Sequence, residues 1–162
     1  MVKKKDKKRS PGTKVISRNR KALHSYFVDE TIEAGVVLLG SEVKSLREGR
    51  LQLTDAYARF ENNELWLVKA HISPYSHATH ENHEPERPRK LLIHKHQMRR
   101  LQSKTQEAGY TLIPLMLYFN GSNVKVEIGL CRGKKLFDKR EELRKKDHAR
   151  EIERARRNMK GR

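Results

Sequence analysis

The chain lacks the features that would tie it to a membrane, a disulfide scaffold or a reactive centre. It holds one cysteine in 162 residues, so no disulfide can close within it. Cys131 lies in an apolar, strand-like stretch and reads as a small core residue. No apolar run approaches the roughly 20 residues that cross a bilayer, and neither an N-terminal Met-Gly nor a C-terminal Cys box marks a lipid anchor. Its opening residues are charged where a signal peptide has an apolar centre, so a cytoplasmic location without a membrane partner is expected. Metal-ligand spacing is equally scarce. His77, His80 and His83 recur every three residues near Glu81 and Glu84, but on a strap flanked by Pro85 and Pro88, where solvated or RNA-facing histidines are the simpler reading. Glu33, Glu42 and Asp55 have no spacing that demands a divalent ion. The expectation is therefore a binding protein with no catalytic residues, no metal and no cofactor, and not an enzyme.

What the chain has in excess is positive charge, and it has it in two places. Residues 1–21 contain ten Lys and Arg against one acidic residue, and residues 132–162 contain fourteen against six. Residues 22–131 carry thirteen of each sign, so the net charge of +17 belongs to the ends. Two cationic arms on a neutral body repel themselves unless a polyanion lies across them and releases its counterions, which makes nucleic acid the expected partner. Three segments follow: a disordered basic N-terminal arm over 1–18, one folded domain over 19–131 and a basic tail over 132–162.

Within the body the hydrophobic patterning is mostly of strand type. Tyr26-Phe27-Val28 and 31–39 read as extended, with bends at Gly35 and Gly40. Residues 41–47 place Val43 and Leu46 on one face of a short helix capped by Ser41, which would plug an end of the fold. Residues 56–60 and 65–70 flank Glu61-Asn62-Asn63-Glu64 as a hairpin. The stretch 71–90, with three prolines and four histidines, reads as a long surface loop. A helix over 94–108 presents Met98, Leu101, Thr105 and Ala108 on one face and stops at Gly109. Residues 111–119 and 123–130 form a second hairpin around Asn120-Gly121-Ser122, with Pro114 predicting a bulge or an edge. The sum is a mainly β fold: a small antiparallel β-barrel, closed or nearly so, with interposed short helices, a frequent platform for nucleic acid.

Candidate RNA-binding residues follow from charge and hydrogen-bonding capacity. Asn19, Arg20, Lys21 and His24 enter the barrel from the basic arm, while Glu33, Lys44 and Arg47 could be gathered by the first strands and the short helix. Arg87, Arg89 and Lys90 form a second basic knot that runs into Leu91, counted with them as an RNA contact, and Lys134 and Lys135 open the tail. Lys and Arg grip phosphates, whereas Asn and Glu can read base edges. Phe137 sits between Lys134-Lys135 and Lys139-Arg140 with no apolar run to join, so stacking on a base is expected. From Glu141 to Met159 the tail has no Gly or Pro, and Glu141/Lys145, Glu142/Lys146 and Glu153/Arg157 are spaced four apart. Lys145, Lys146, Arg150 and Arg154 are its further tail contacts. With few large apolar side chains, the tail is expected to become helical on binding a polyanion.

These residues also fall into a known pattern. Asn19-Arg20-Lys21-Ala22, Glu33-Ala34-Gly35, Gly40-Ser41-Glu42-Val43-Lys44-Ser45-Leu46-Arg47, Arg89-Lys90-Leu91-Leu92-Ile93-His94-Lys95, Gly109-Tyr110-Thr111-Leu112-Ile113-Pro114 and Gly133-Lys134-Lys135-Leu136-Phe137-Asp138-Lys139-Arg140 run in order over about 120 residues, and the chain resembles the SsrA-binding protein (small protein B) family. The resemblance implies an OB-like barrel that binds transfer-messenger RNA and delivers it to stalled ribosomes for trans-translation. It also implies that the protein takes the place of the missing anticodon arm at the small-subunit decoding centre, with elongation factor Tu reached through the bound RNA. Carried over by position, Asn19 and Glu33 belong to the RNA-binding face, Phe137 stacks near the decoding nucleotides, and Asp138, Lys139 and Arg140 open the tail that enters the messenger channel. Two positions depart from the family pattern: Ser41 stands where a large aromatic is frequent, and Phe137 where a histidine also occurs. The alternative function is a ribosomal or ribosome-assembly protein whose basic extensions thread ribosomal RNA permanently.

Overall fold

In a computed structural model, structure is described for residues 13–77, 82–107, 109–135, 138, 144, 148 and 150–152. The element order is β1 (Thr13–Arg18), α1 (Arg20–Ser25), β2 (Tyr26–Val36), α2 (Gly40–Arg47), β3 (Leu51–Gln52), β4 (Tyr57–Glu61), β5 (Glu64–Val68), β6 (His71–Ile72), β7 (Arg89–Leu92), α3 (Lys95–Gln106), β8 (Tyr110–Asn120) and β9 (Asn123–Gly133). Strands β8, β4, β5, β7, β2 and β9 pair in that order, and β9 pairs again with β8, so six strands form an antiparallel ring. The ring is broad along β2, β8 and β9. It is thin at two seams, where β4 meets β8 at Ala58↔Leu112 and β2 meets β7 at Gly35↔Leu92 and Val36↔Leu91.

Alternation explains the closure. Along β2, Ile32 and Ala34 point inward while Thr31 and Glu33 point out, and on β9 Val124, Val126 and Ile128 point inward beside outward Lys125 and Glu127. Leu65, Leu67, Leu91, Leu112 and Leu117 complete the interior, and Leu46 of α2 and Leu101 of α3 join the same core. A second, smaller cluster of Ala22, Ile113, Leu115 and Cys131 lies beneath α1. Cys131 is fully buried there, as its apolar setting predicts.

The hairpin turns are set by backbone chirality. Asn62 and Asn63 have φ of 50° and 59°, the double positive φ of a type I′ turn whose twist matches the flanking strands. Between β8 and β9 the turn uses Gly121 at φ 60°, with open space where a side chain would stand. Gly121→Ala should therefore lower the unfolding free energy by about 1–2 kcal/mol through backbone strain alone, measured by urea denaturation. Pro114 lies at the register shift of the β8–β9 ladder between Pro114 and Met116, the bulge that its missing N–H favours.

Four expectations are corrected. The N-terminal arm is ordered from Thr13: β1 pairs with Met116–Asn120 of β8, and Ile16 packs on the main core. The expected disorder of 1–18 overlooked the edge that β8 leaves beyond β4, to which β1 adds as a further strand. The two extended runs around residue 30 are one eleven-residue strand, β2, with a register shift between Val28 and Glu30. Helix α2 is capped not by Ser41 but from within, since Leu39 is its N-cap residue and its N–H donates to Glu42 Oε2 at 2.7 Å. Finally, 71–90 is more than a surface loop. It contributes β6, β7 and a buried ion cluster, and His83, 5 % exposed, places Nδ1 3.0 Å from Ser41 Oγ and Nε2 3.0 Å from the Ile72 carbonyl.

Candidate nucleic-acid interface

Glu33 stands on the outward face of β2, in a groove of ≈ 570 Å³ floored by β2 and walled by the end of β7 and by α3. Its carboxylate accepts from the Tyr118 hydroxyl through Oε2, and Lys125 Nζ lies 3.7 Å from Oε1. Gly35 is the narrow point of the floor, where a Cβ would come within 3.3 Å of Leu92 Cβ, so a larger residue would push β7 off the seam. Leu92 lines the groove at 55 % exposure, and Arg100 of α3 is tied to Glu30 across it. The groove therefore offers a fixed acceptor, two paired cations and an apolar ledge. Such a set suits the hydroxyl-bearing, shallow surface of folded RNA.

The register adds a cost to this acceptor. Glu33 is directly opposite Glu127 on β9, and like charges across a ladder repel. Glu33→Gln should leave the unfolding free energy within a few tenths of a kcal/mol, because relief from Glu127 is offset by the weakened pairing with Lys125 and Tyr118. A role as the acceptor for RNA predicts a fall in RNA affinity of about tenfold through the loss of a charged acceptor. Urea denaturation and a filter-binding titration on the same preparation read both effects, and a parallel fall in both would make Glu33 merely structural.

The other described sequence candidates stand elsewhere on the barrel or in the tail. Arg20, Lys21 and His24 are exposed on α1, with Lys21 Nζ 3.1 Å from Asp55. Lys134 reaches back to this end of the barrel, donating to the Leu23 carbonyl at 2.9 Å and lying 5.1 Å from the Phe27 ring centroid. Lys135 is exposed, and its N–H donates to Asp138 Oδ2 at 3.1 Å. Lys44 and Arg47 are exposed on α2, Lys44 over the Tyr75 ring at 5.4 Å, and neither lines the groove that holds Glu33. Lys90 pairs with Glu64 on β5. Asp138 and Arg150 are helical, while Phe137, Lys139, Arg140, Lys145, Lys146 and Arg154 lie outside the described residues.

Four expected RNA contacts do other work. Asn19 is 4 % exposed; its Nδ2 donates to the Leu53 carbonyl at 2.8 Å and its Oδ1 accepts from Ala22 N at 3.0 Å, which caps α1 and ties it to the 53–56 turn. Leu91 is buried opposite Leu65 in the core. Arg89 is fully buried and binds Glu42 Oε1 at 2.8 Å, the Ala70 carbonyl at 2.5 Å and the Pro85 carbonyl at 2.9 Å. Arg87 completes the cluster with bonds of 2.8 and 2.5 Å to the two oxygens of Glu42. Burial alone would push the Glu42 carboxyl up, but the two guanidiniums and the Leu39 N–H outweigh it and hold the group below its ordinary value. Burial pushes Arg89 down, partly offset by Glu42. Sequence reasoning missed this because a basic run reads as surface unless its buried counter-ion, 45 residues away for Arg87, is known. It also missed Tyr118, Lys125, Leu92 and Arg100, which only the strand register and α3 bring to Glu33. Among the described residues no three His, Cys, Asp or Glu converge as a metal site, and no helix is long and apolar enough to cross a membrane.

A closed antiparallel ring with short helices, an outward polar groove and a basic extension leaving each end of the sheet defines a small RNA-binding β-barrel protein. Within that class the chain belongs to the SmpB protein family, whose model matches residues 16–158. The SsrA-binding protein of Carboxydothermus hydrogenoformans is 58 % identical over 142 residues, covering 88 % of this chain and 95 % of that protein. That of Syntrophobacter fumaroxidans is 57 % identical over 144 residues, covering 89 % of each. A solved chain described under "tmRNA-SmpB: a journey to the center of the bacterial ribosome" is 48 % identical, superposes with a TM-score of 0.65, and covers 79 % of this chain and 94 % of its own.

Proposed function

We propose that the chain binds transfer-messenger RNA and delivers it to stalled ribosomes for trans-translation. The observation that carries this is family membership along most of the chain together with a solved relative from tmRNA-SmpB and the bacterial ribosome. Permanent residence in the ribosome, the alternative, is not favoured by these relatives. The groove around Glu33 holds the RNA through hydroxyl and base-edge contacts, while the two basic extensions supply the salt-dependent part of the affinity. The tail enters the messenger channel of the small subunit at its decoding centre and is accommodated only when that channel holds no message, so its binding reports the stall. Elongation factor Tu is met through the bound RNA. Peptide transfer is performed by the ribosome, with the chain acting in the cytoplasm as a positioning protein without a catalytic group of its own. Immunoprecipitation from bacterial lysate followed by sequencing of the retained RNA tests the first step. Transfer-messenger RNA should dominate the sample, and stoichiometric ribosomal RNA in its place would overturn the reading.

A further inference from the structure

Beneath α1, at the other end of β2 from the Glu33 groove, lies a second cleft of ≈ 370 Å³. Seven residues separate Tyr26 at its rim from Glu33, roughly 23 Å along an extended strand, so one nucleotide cannot occupy both sites. The floor is made of small or branched apolar side chains, Ala22, Ala56 and Ile113, each buried. Tyr26 and Tyr57, both half-buried against the small core cluster, flank it, and the hydroxyl groups of Ser25, Thr54 and Thr111 line it. The walls are fixed rather than adaptable. Asn19 bolts α1 to the Leu53 carbonyl, and Ala56 N closes the 53–56 turn on the same carbonyl at 3.2 Å.

The mouth is crossed by the Lys21–Asp55 pair, with side chains 62 % and 76 % exposed. An ion pair so exposed contributes little to stability and is readily exchanged for another anion. A flat heteroaromatic ring suits an interior of this kind: two tyrosines to contact its faces or edges, small residues that leave room for depth, and hydroxyl groups for its polar edge. A cation at the rim, with exposed Arg20 and His24 on the same short helix, then suits a phosphate joined to that ring. The geometry points to a pocket for a single unstacked nucleobase of an RNA strand, whose flanking phosphate draws Lys21 away from Asp55. The inference rests on the RNA-binding reading above and adds to it a second, base-accepting site on the α1 face.

The full chain, titrated with a short single-stranded oligoadenylate and followed by amide NMR, tests it. The signals of Ala56, Tyr57 and Thr111 should move saturably, and an abasic oligonucleotide of the same length should bind about tenfold more weakly at those signals, the range expected for one lost stack. Ser25→Phe fills the cleft from the helix side and should abolish the shifts at Ala56 and Thr111. Tyr57→Leu, which retains bulk against the small cluster, should weaken them about tenfold and serves alone if Ser25→Phe fails to fold. Equal binding of the abasic strand, unmoved cleft signals, or undiminished shifts in the folded variants would overturn the pocket. Retention of transfer-messenger RNA by the wild-type chain in the same series separates the two readings. Its loss sinks the proposed function, whereas its presence with a silent cleft sinks only this inference.

Discussion

Removal of residues 136–162 should abolish peptide tagging on stalled ribosomes while leaving affinity for transfer-messenger RNA within a few fold of the intact chain. The barrel keeps all its strands in such a truncation, because β9 ends at Gly133 and the last described main-chain bond from the body is Lys134 N to the Ser25 carbonyl. The Glu33 groove is lined by β2, the segment from the end of β7 into α3, and Lys125 of β9, with Tyr118 of β8 bonded to Glu33, so its acceptor, cations and apolar ledge persist. What disappears is eleven of the fourteen cations counted from Arg132 together with Phe137; Arg132, Lys134 and Lys135 stay with the barrel. Binding in solution and peptide tagging in a reconstituted translation system read the two effects separately. Tagging retained by the truncated chain would defeat the division of labour between groove and tail, and a large fall in RNA affinity would show that the tail grips the RNA before the ribosome does.

The second large effect lies in the buried cluster of Glu42, Arg87 and Arg89. Glu42→Gln should cost about 3–5 kcal/mol, because it leaves the Arg89 guanidinium inside the protein without its counter-ion. Arg89→Met alone should cost less, since Arg87 still neutralises Glu42 from the rim. A Glu42→Leu, Arg89→Met double substitution should be less damaging than the sum of the single changes, as expected when both charges of a buried pair are removed together. The same cluster sets the acid limb of stability. The Glu42 carboxyl is held below its ordinary value in the folded chain, so the unfolded chain binds its proton first as pH falls. The contribution is complete above the ordinary glutamate value and is lost as pH drops through the lowered one. Urea midpoints followed from neutral to acid pH should show this loss in the wild type and its absence in Glu42→Gln. A parallel pH profile in the two proteins would remove Glu42 from that role.

Much of this architecture was legible because it depends on local pattern. The two long hairpins follow from apolar runs separated by Asn-Asn and Asn-Gly-Ser, and α3 from its spacing of Met98, Leu101 and Thr105 against a terminal Gly109, with φ 89°. Glu33 was found as an acceptor on a strand, and it stands on the outer face of the ring. What failed depends on distant pairing. Nothing within Thr13–Arg18 announces a strand until β8 offers an edge, and nothing in Arg87-Pro88-Arg89 announces burial until Glu42 is brought beneath it by α2. Asn19 misled for a related reason: a side chain suited to reading a base is equally suited to capping a helix. Its neighbour Ala22 and the distant Leu53 carbonyl decide in favour of the cap.

The pairing of β1 with β8 also determines where the positive arms depart. Thr13 is opposite Asn120, beside the β8–β9 turn, whereas the chain leaves β9 at Gly133, opposite Tyr26. Eleven residues of β9 separate those exits, about 35 Å of strand. The sheet thus acts as a ruler that sets the roots of the two basic extensions at opposite ends of one long strand, so that the two concentrations of charge start from different rims of the barrel.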